Sequence, residues 1–307
     1  MCTTPHRAKK VSAPANQIIG VNTNWCLHGC VALIYDSHGS KRMMKVPEWK
    51  ELGVISTIVK EGSIFAVTES GSILHFSLAK QPKKQQPANL VLDWQKSCQF
   101  CSSVLNNQTT ILCGTGDRLL SCVFGGIRVL SLDGQIVETW KQEKVMKSVV
   151  SDEDRVVAVS DDDDVIVGCM RNGHLEDEFE FRVKSSSILC ASVSVKSEIV
   201  GVLGADHHVH LFSLFDGSFL RTLDMDDTVD IFCVTPTSSV LTYSSKSFVL
   251  RHCDQLGTKI CETELSFEPS CLRVAEDSRS VVIEGERGVE VRDLRELKVL
   301  QGCCCLV

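Results

Sequence analysis

Hydrophobic and polar positions alternate in short runs along this chain, and a larger pattern returns four times between residues 145 and 301. Each pass contains four short runs rich in Val, Ile, Leu and Phe, separated by polar residues and turn formers. The second pass, for example, reads SILCASVSV, EIVGVLGAD, HVHLFSLFDG and SFLRTL. Because such runs bounded by turn residues are typical of antiparallel strands, each pass predicts one four-stranded unit.

Glycines mark the register of these units. Gly134, Gly173, Gly217 and Gly257 each precede the last predicted strand of a unit, at spacings of 39, 44 and 40 residues. Glycine at such a position permits the positive φ that a tight hairpin requires. A period of about 40 to 45 residues with four strands per period is typical of the blade of a WD40 propeller.

Three further units precede the regular ones, at about 100–142, 52–95 and 17–47. The sequence therefore predicts an all-β fold, a seven-bladed WD40-like β-propeller over residues 17–302. A basic tail (1–16) and a cysteine-rich tail (303–307) flank it. Most units lack the terminal Trp-Asp pair of that class, of which Arg292-Asp293 is the nearest relic. A pair of β-sandwiches is the alternative architecture.

The net charge of −7 is unevenly distributed. Residues 1–100 carry 12 Lys/Arg and 6 Asp/Glu, whereas the remaining 207 residues carry 20 and 33. A basic face on an acidic body is compatible with contact to a phosphate backbone on one side only. The candidate nucleic-acid-binding residues are Lys41, Arg42, Lys45, Lys83 and Lys84. An uneven scatter of solvated charge, with 81–87 as a plain flexible loop, is the alternative.

The N-terminal residues contain no apolar signal-like segment, and no run approaches the roughly 18 apolar residues of a membrane span. Sixteen cysteines in such a chain favour reduced thiols packed as small hydrophobic residues. We therefore expect a soluble, intracellular protein.

Four consecutive aspartates, Asp161, Asp162, Asp163 and Asp164, form the sharpest local charge run. They fall in the predicted hairpin between the second and third strands of the fourth unit. Calcium binding would need further ligands at EF-hand spacing, which are missing. The run is either a solvated turn or an electrostatic docking patch for a partner, and we take these four residues as the candidate partner-binding site.

Other chemical motifs have simpler interpretations. The C-x-x-C of Cys98 and Cys101 would need a second nearby pair to bind zinc, so core packing is favoured. His207, His208 and His210 could bind a metal or titrate near neutrality, but hydrogen bonding to neighbouring turns is the commoner role. No catalytic triad order or phosphate-binding glycine loop occurs. We expect no metal, no cofactor and no enzymatic activity.

Several phrases of the chain resemble one WD40 subfamily, the non-catalytic subunit of the tRNA (guanine-N7) methyltransferase. The resemblance covers roughly residues 30–225. It consists of the following segments: VALIYD at 31–36, STIVKEGSIFAVTE at 56–69, Trp94-Gln95, SDEDR at 151–155 and SDDDDVIV at 160–167. Asp161 and Asp163 match the acidic turn of that family, whereas Val165 and Val167 stand where the family has basic residues that contact the catalytic subunit.

The resemblance implies a nuclear heterodimer, with the cytoplasm as a second location, in which a methyltransferase catalytic subunit performs the chemistry. The propeller would stabilise that subunit and help to position tRNA, and phosphate contacts from the basic early units would be compatible with this. The alternative is a general WD40 scaffold in a signalling or ubiquitin-ligase complex. A hydrolase or lyase built on a propeller has no motif in its favour.

Overall fold

The computed structural model describes the backbone of residues 17–22, 30–35, 41–46, 54–60, 63–68, 72–78, 90–97, 112–115, 117–123, 126–141, 144–183, 187–223, 225, 228–275, 278–285 and 288–304. Within these residues the regular secondary structure is entirely β-strand, so no helix there could span a membrane. The chain forms strands because its apolar residues are largely β-branched or aromatic, and such side chains suit half-buried pleated surfaces.

The strand bounds follow the predicted runs closely. They are β1 (Gln17–Asn22), β2 (Cys30–Tyr35), β3 (Lys41–Val46), β4 (Val54–Lys60), β5 (Ser63–Thr68), β6 (Ser72–Leu78), β7 (Leu90–Ser97), β8 (Leu112–Thr115), β9 (Arg118–Val123), β10 (Gly126–Ser131), β11 (Ile136–Trp140), β12 (Met146–Asp152), β13 (Arg155–Ser160), β14 (Asp164–Arg171), β15 (His174–Arg182), β16 (Ile188–Ser194), β17 (Ile199–Gly204), β18 (Val209–Ser213), β19 (Phe219–Leu223), β20 (Ile231–Val234), β21 (Val240–Ser244), β22 (Val249–Cys253), β23 (Lys259–Glu264), β24 (Pro269–Val274), β25 (Ser280–Gly285), β26 (Gly288–Asp293) and β27 (Val299–Cys304).

These strands form six four-stranded antiparallel sheets and one three-stranded sheet, β1–β3. We call the six four-stranded sheets blades 2 to 7 in chain order, after the predicted units. Within each blade the strands pair in sequence order, and the first strands of successive blades lie against one another. Strand β1 contacts β4 of blade 2 and β25 of blade 7. This radial arrangement is a β-propeller, so the predicted propeller fold is confirmed and the sandwich alternative is wrong. The described residues form six four-stranded blades, and the seventh stays a prediction.

The hydrophobic core lies between neighbouring blades. One cluster joins blades 3 and 4 around Trp140, and a second joins blades 4 and 5 around Val167 and Phe212. Two more clusters bridge blades 5 and 6 and blades 6 and 7. The second and third strands are almost wholly buried, whereas the fourth strands are largely exposed. The fourth strand is therefore the outer edge of each blade.

Strand direction decides which turns share a face of the propeller. Because the four strands alternate in direction, the turn between the second and third strands emerges on the same face as the connection to the next blade. Turns after the first and third strands emerge on the opposite face. The four register glycines occupy the turn between the third and fourth strands with φ of 77°, 80°, 69° and 88°. This confirms the turn prediction for Gly134, Gly173, Gly217 and Gly257.

One predicted boundary differs from the structure, and several predicted features fall on residues that the structure does not describe. Strand β27 runs through Cys304, which pairs with Gly288, so the last blade continues two residues past the boundary placed at 302. The basic tail at 1–16, Lys83 and Lys84, and the C-x-x-C of Cys98 and Cys101 lie outside the described residues.

Candidate partner-binding surface

The acidic turn of residues 161–164 connects β13 to β14 and divides into two pairs of aspartates. Asp161 and Asp162 are exposed, and neither carboxylate forms an ion pair with another described residue. Only the backbone of Asp161 is held, because its N–H donates to the carbonyl of Val145 over 2.9 Å. These two side chains are available to a partner.

Asp163 is instead engaged within the protein. Its Oδ1 accepts hydrogen bonds from the N–H of Ile188 at 2.8 Å and the hydroxyl of Ser187 at 3.3 Å, and it also pairs with Lys147. Burial alone would raise the pKa of the Asp163 carboxyl, but the bonds from Ile188 and Lys147 outweigh it and hold that pKa below its usual value. Asp163 thus joins blade 4 to the first strand of blade 5.

Asp164 is also engaged internally, at the start of β14. Arg182 Nε donates to one carboxylate oxygen at 2.9 Å, and Lys144 Nζ donates to the other at 3.3 Å. Burial would raise the pKa of Asp164, yet these two cations lower it. Of the four predicted partner-binding residues, two are therefore exposed and two have structural partners.

The positions at which the resemblance implies basic docking residues are core positions here. Val165 and Val167 are both fully buried on β14, within the cluster that joins blades 4 and 5. A lysine or arginine at either position would have its charge removed from water, so no such docking contact is available from these two positions.

The outer strand of blade 4 contains an irregularity at Glu178. Asp177 pairs with Gly168 and Phe179 pairs with Val167, so Glu178 is an extra residue that forms a β-bulge. A bulge reverses which side chains face each side of a strand. Asp177 consequently accepts a hydrogen bond from Trp140 of blade 3, whereas Phe179 and Phe181 face blade 5.

Five of the twelve phenylalanines of the chain gather where blades 4 and 5 meet. We call this group the aromatic seam, and its members are Phe179, Phe181, Phe212, Phe215 and Phe219. The ring centroids of Phe181 and Phe212 lie 4.6 Å apart, and those of Phe212 and Phe219 lie 5.6 Å apart. These separations are typical of favourable aromatic pairs.

The aromatic seam runs from the core to the surface. Phe212 is buried, Phe219 is 58% exposed and Phe215 is 86% exposed. Phe215 belongs to the turn of Gly217, whose backbone lies so close to Phe181 that an added Cβ would be 2.8 Å from its ring. The pairing of Asp164 with Arg182 places the acidic turn beside Phe181 in the same hairpin. Phe181 therefore lies between the end of the acidic hairpin and the turn that carries Phe215.

The acidic character is concentrated in blade 4. Residues 144–183 contain 11 Asp/Glu and 5 Lys/Arg, and every one of those basic side chains pairs with an acidic residue of the blade. The five are Lys144, Lys147, Arg155, Arg171 and Arg182. The excess negative charge is thus presented to the solvent or to a partner of opposite charge.

The histidines have structural neighbours. The ring Nδ1 of His210 is 2.8 Å from the hydroxyl of Thr222, that of His207 is 3.0 Å from the carbonyl of Val229, and that of His208 contacts the carbonyl of Asp206. Among the described residues no group of three or more His, Cys, Asp or Glu side chains could hold a metal ion. His207 and His208 fit the turn-bonding interpretation, whereas His210 bonds to the neighbouring strand β19.

A cavity of about 600 Å³ lies among the first strands of blades 4 to 7, at the propeller axis. Three thiols border it, those of Cys190, Cys233 and Cys271. Burial raises the pKa of Cys190 to about 12 and that of Cys233 to about 11, so both thiols stay protonated. They behave as small packed groups rather than as nucleophiles.

The candidate nucleic-acid residues are only partly placed. Lys41, Arg42 and Lys45 lie on β3, the third strand of the N-terminal sheet. Lys83 and Lys84 are outside the described part of the chain. The grouping of these five residues on one face stays a prediction.

No protein-family model and no curated protein sequence matches the chain. Several solved structures do match the chain. Hsv2 of Kluyveromyces lactis is 11% identical with a TM-score of 0.62, covering 95% of this chain and 100% of that one. A putative 6-phosphogluconolactonase of Bacteroides fragilis is 12% identical with a TM-score of 0.65, covering 94% of both chains.

The WD40 β-propeller domain of Doa1 is 15% identical with a TM-score of 0.59, covering 83% of both chains. The chain has a WD40-like β-propeller fold. Identities this low show the fold alone, and similar propellers carry unrelated functions, so the role of this propeller must be argued from its own surfaces.

Proposed function

We propose that this chain is a non-catalytic propeller subunit that binds a basic surface of a partner protein through blade 4. The carrying observation is the division of the acidic turn, in which Asp163 and Asp164 fix the backbone while Asp161 and Asp162 remain exposed. A fixed backbone lowers the entropic cost of binding because the charged side chains are already positioned.

The resemblance of the sequence suggests a specific partner, the catalytic subunit of a tRNA (guanine-N7) methyltransferase. In that case the propeller would stabilise the enzyme in a nuclear heterodimer, and Lys41, Arg42, Lys45, Lys83 and Lys84 would help to hold tRNA through its phosphates. The three-stranded sheet β1–β3, which lies between blades 2 and 7, would complete a seven-bladed ring.

Affinity capture with the full-length chain tests the proposal. Mass spectrometry of the captured proteins should identify one major partner, and the double variant Asp161→Lys/Asp162→Lys should reduce its recovery by about tenfold or more, as loss of complementary charge predicts. A methyltransferase in the wild-type capture would favour the tRNA assignment, whereas recovery of ubiquitin-ligase or signalling subunits would favour the general scaffold.

A matched control keeps the total charge change constant. Glu264 and Glu268 are exposed acidic residues away from blade 4, on the outer strand of blade 6 and in the connection to blade 7. Glu264→Lys/Glu268→Lys should retain the partner. Equal recovery from the two double variants would contradict docking at the acidic turn.

A further inference from the structure

Strand β15 is a long outer strand with a distinctive neighbourhood. It spans nine residues, close to the eight of β7 in blade 2, whereas the outer strands of blades 3, 5, 6 and 7 span five or six. It pairs with β14 on one side, and no strand of the described residues pairs with its other edge, where the N–H of Leu175 at the start of the strand donates to Glu138 of blade 3. Such an edge presents backbone N–H and C=O groups that an added strand can pair with.

The side chains around this edge define what an added strand would carry. Glu176, Asp177 and Glu180 are exposed on β15, where they pair with Arg171, Lys141 and Lys144, and blade 4 as a whole still carries more acidic than basic residues. The aromatic seam adjoins the end of the strand, with Phe215 and Phe219 exposed. A complementary segment would therefore place cationic groups toward the carboxylates and apolar groups against the rings, where cations also interact favourably.

We propose that β15 and the aromatic seam bind an extended segment of a partner protein in which lysine or arginine alternates with apolar residues. The segment adds to the outer edge of blade 4 as a fifth strand. Alternation follows from strand geometry, since successive side chains point to opposite faces. This inference rests on the proposed binding function and specifies which part of the partner is recognised.

Blade 6 supplies a matched comparison for the aromatic seam. Leu256 and Ile260 occupy the corresponding turn and outer strand there and are 61% and 53% exposed. Their strand, β23, is only six residues long. Phe215→Ser/Phe219→Ser and Leu256→Ser/Ile260→Ser each remove exposed apolar surface from the last turn and the outer strand of a blade, but only the first pair belongs to the proposed site.

Fluorescence anisotropy tests the proposal with a defined probe, a labelled octapeptide of alternating Lys and Val. We expect the wild-type chain and the Leu256/Ile260 variant to bind it equally, and the Phe215/Phe219 variant to bind about tenfold or more weakly, as for loss of aromatic anchors. A peptide with Glu in place of Lys should not bind. An analogue with N-methylated backbone on alternate residues should also bind weakly, because it cannot donate to the strand edge.

Failure of the wild-type chain to bind the alternating peptide, or equal binding by the two serine variants, would overturn the inference. Thermal unfolding of both variants checks that each is folded. Affinity capture distinguishes docking at the acidic turn from strand addition at β15. If the Phe215/Phe219 variant retains the partner that Asp161→Lys/Asp162→Lys loses, the proposed function stands and strand addition at β15 is wrong.

Discussion

The carboxylate of Asp163 accepts a hydrogen bond from the backbone N–H of Ile188, 2.8 Å away, and so joins the acidic turn of blade 4 to the start of blade 5. Ile188 begins the first strand of the next blade, where a donor would otherwise lose its partner on burial. The bond therefore contributes to the contact between two blades.

Asp163→Ala should destabilise the fold. It removes the acceptor for Ile188 N–H and leaves Lys147 without its carboxylate, and the loss of such bonds typically costs about 1–3 kcal/mol. Urea unfolding followed by circular dichroism measures the change. Asp162→Ala is the control, and we expect it to leave the midpoint unchanged because its side chain is exposed; equal destabilisation by both would refute the distinction.

Stability should fall as the pH is lowered from 7 to about 5.5. Burial lowers the pKa of His252, partly opposed by a backbone contact with Leu294. A histidine with a lowered pKa in the folded state takes up a proton more readily when unfolded, so protonation favours unfolding below the unfolded pKa of about 6.5. His252→Asn should reduce this dependence of the urea midpoint on pH. An unchanged slope in the variant would exclude His252 as its source.

A second decline is expected in stronger acid. The pKa values of Asp163 and Asp164 are lowered in the folded state, so their contribution to stability is present above the unfolded pKa of about 3.9 and is lost as the pH falls through the folded values. Urea titrations between pH 4.5 and 2.5 measure this. Asp163→Asn/Asp164→Asn should be less stable at pH 7 but show a shallower decline below pH 4.5.

The buried ion pair of blade 7 allows a test of how much each of two paired charges contributes to stability. Arg292 and Glu290 are each 6% exposed, and the guanidinium donates to the carboxylate at 2.6 and 2.7 Å. Arg292→Met leaves a buried unpaired carboxylate and should cost about 3–5 kcal/mol. The double variant Glu290→Gln/Arg292→Met should recover part of that loss in urea unfolding. No recovery would show that the other bonds of Arg292, to Thr263 and Leu297, dominate.

Gly201 should not accept a side chain. A Cβ there would lie 2.6 Å from the ring of Phe232 and 2.8 Å from Val234, across the interface between blades 5 and 6. Overpacking of a filled core costs about 1–3 kcal/mol, so Gly201→Ala should lower the thermal midpoint. Gly201→Ala/Phe232→Leu restores space and should be more stable than the single variant; the reverse order would contradict this packing.

The propeller fold could be predicted from the sequence because turn glycines and apolar runs are local signals. The positive φ of Gly217 and Gly257 and the apolar runs between them depend on neighbouring residues, so spacing alone located the strands. The bulge at Glu178 could not be anticipated in this way. Regular alternation would have placed Phe179 on the face of Asp177, and only the pairing with Val167 and Gly168 shows the change of side.

The candidate site was predictable as a location but not in detail. Four successive aspartates look equivalent in sequence, and the difference between Asp162 and Asp163 arises from Ile188 and Lys147, which approach from other parts of the chain. The aromatic seam was also missed, because Phe181 and Phe212 meet only when blades 4 and 5 pack. The phenylalanines of EFEF at 178–181 are the one local signal that could have indicated it.

The different roles of the four aspartates in the acidic turn have an evolutionary consequence. Asp163 and Asp164 hold the hairpin, so substitutions there are opposed by selection for a folded protein. Asp161 and Asp162 are exposed, so their side chains can change without loss of the fold while the backbone beneath them keeps its shape. A lineage could thus acquire a new binding preference at this turn by drift at two positions, with the propeller itself conserved.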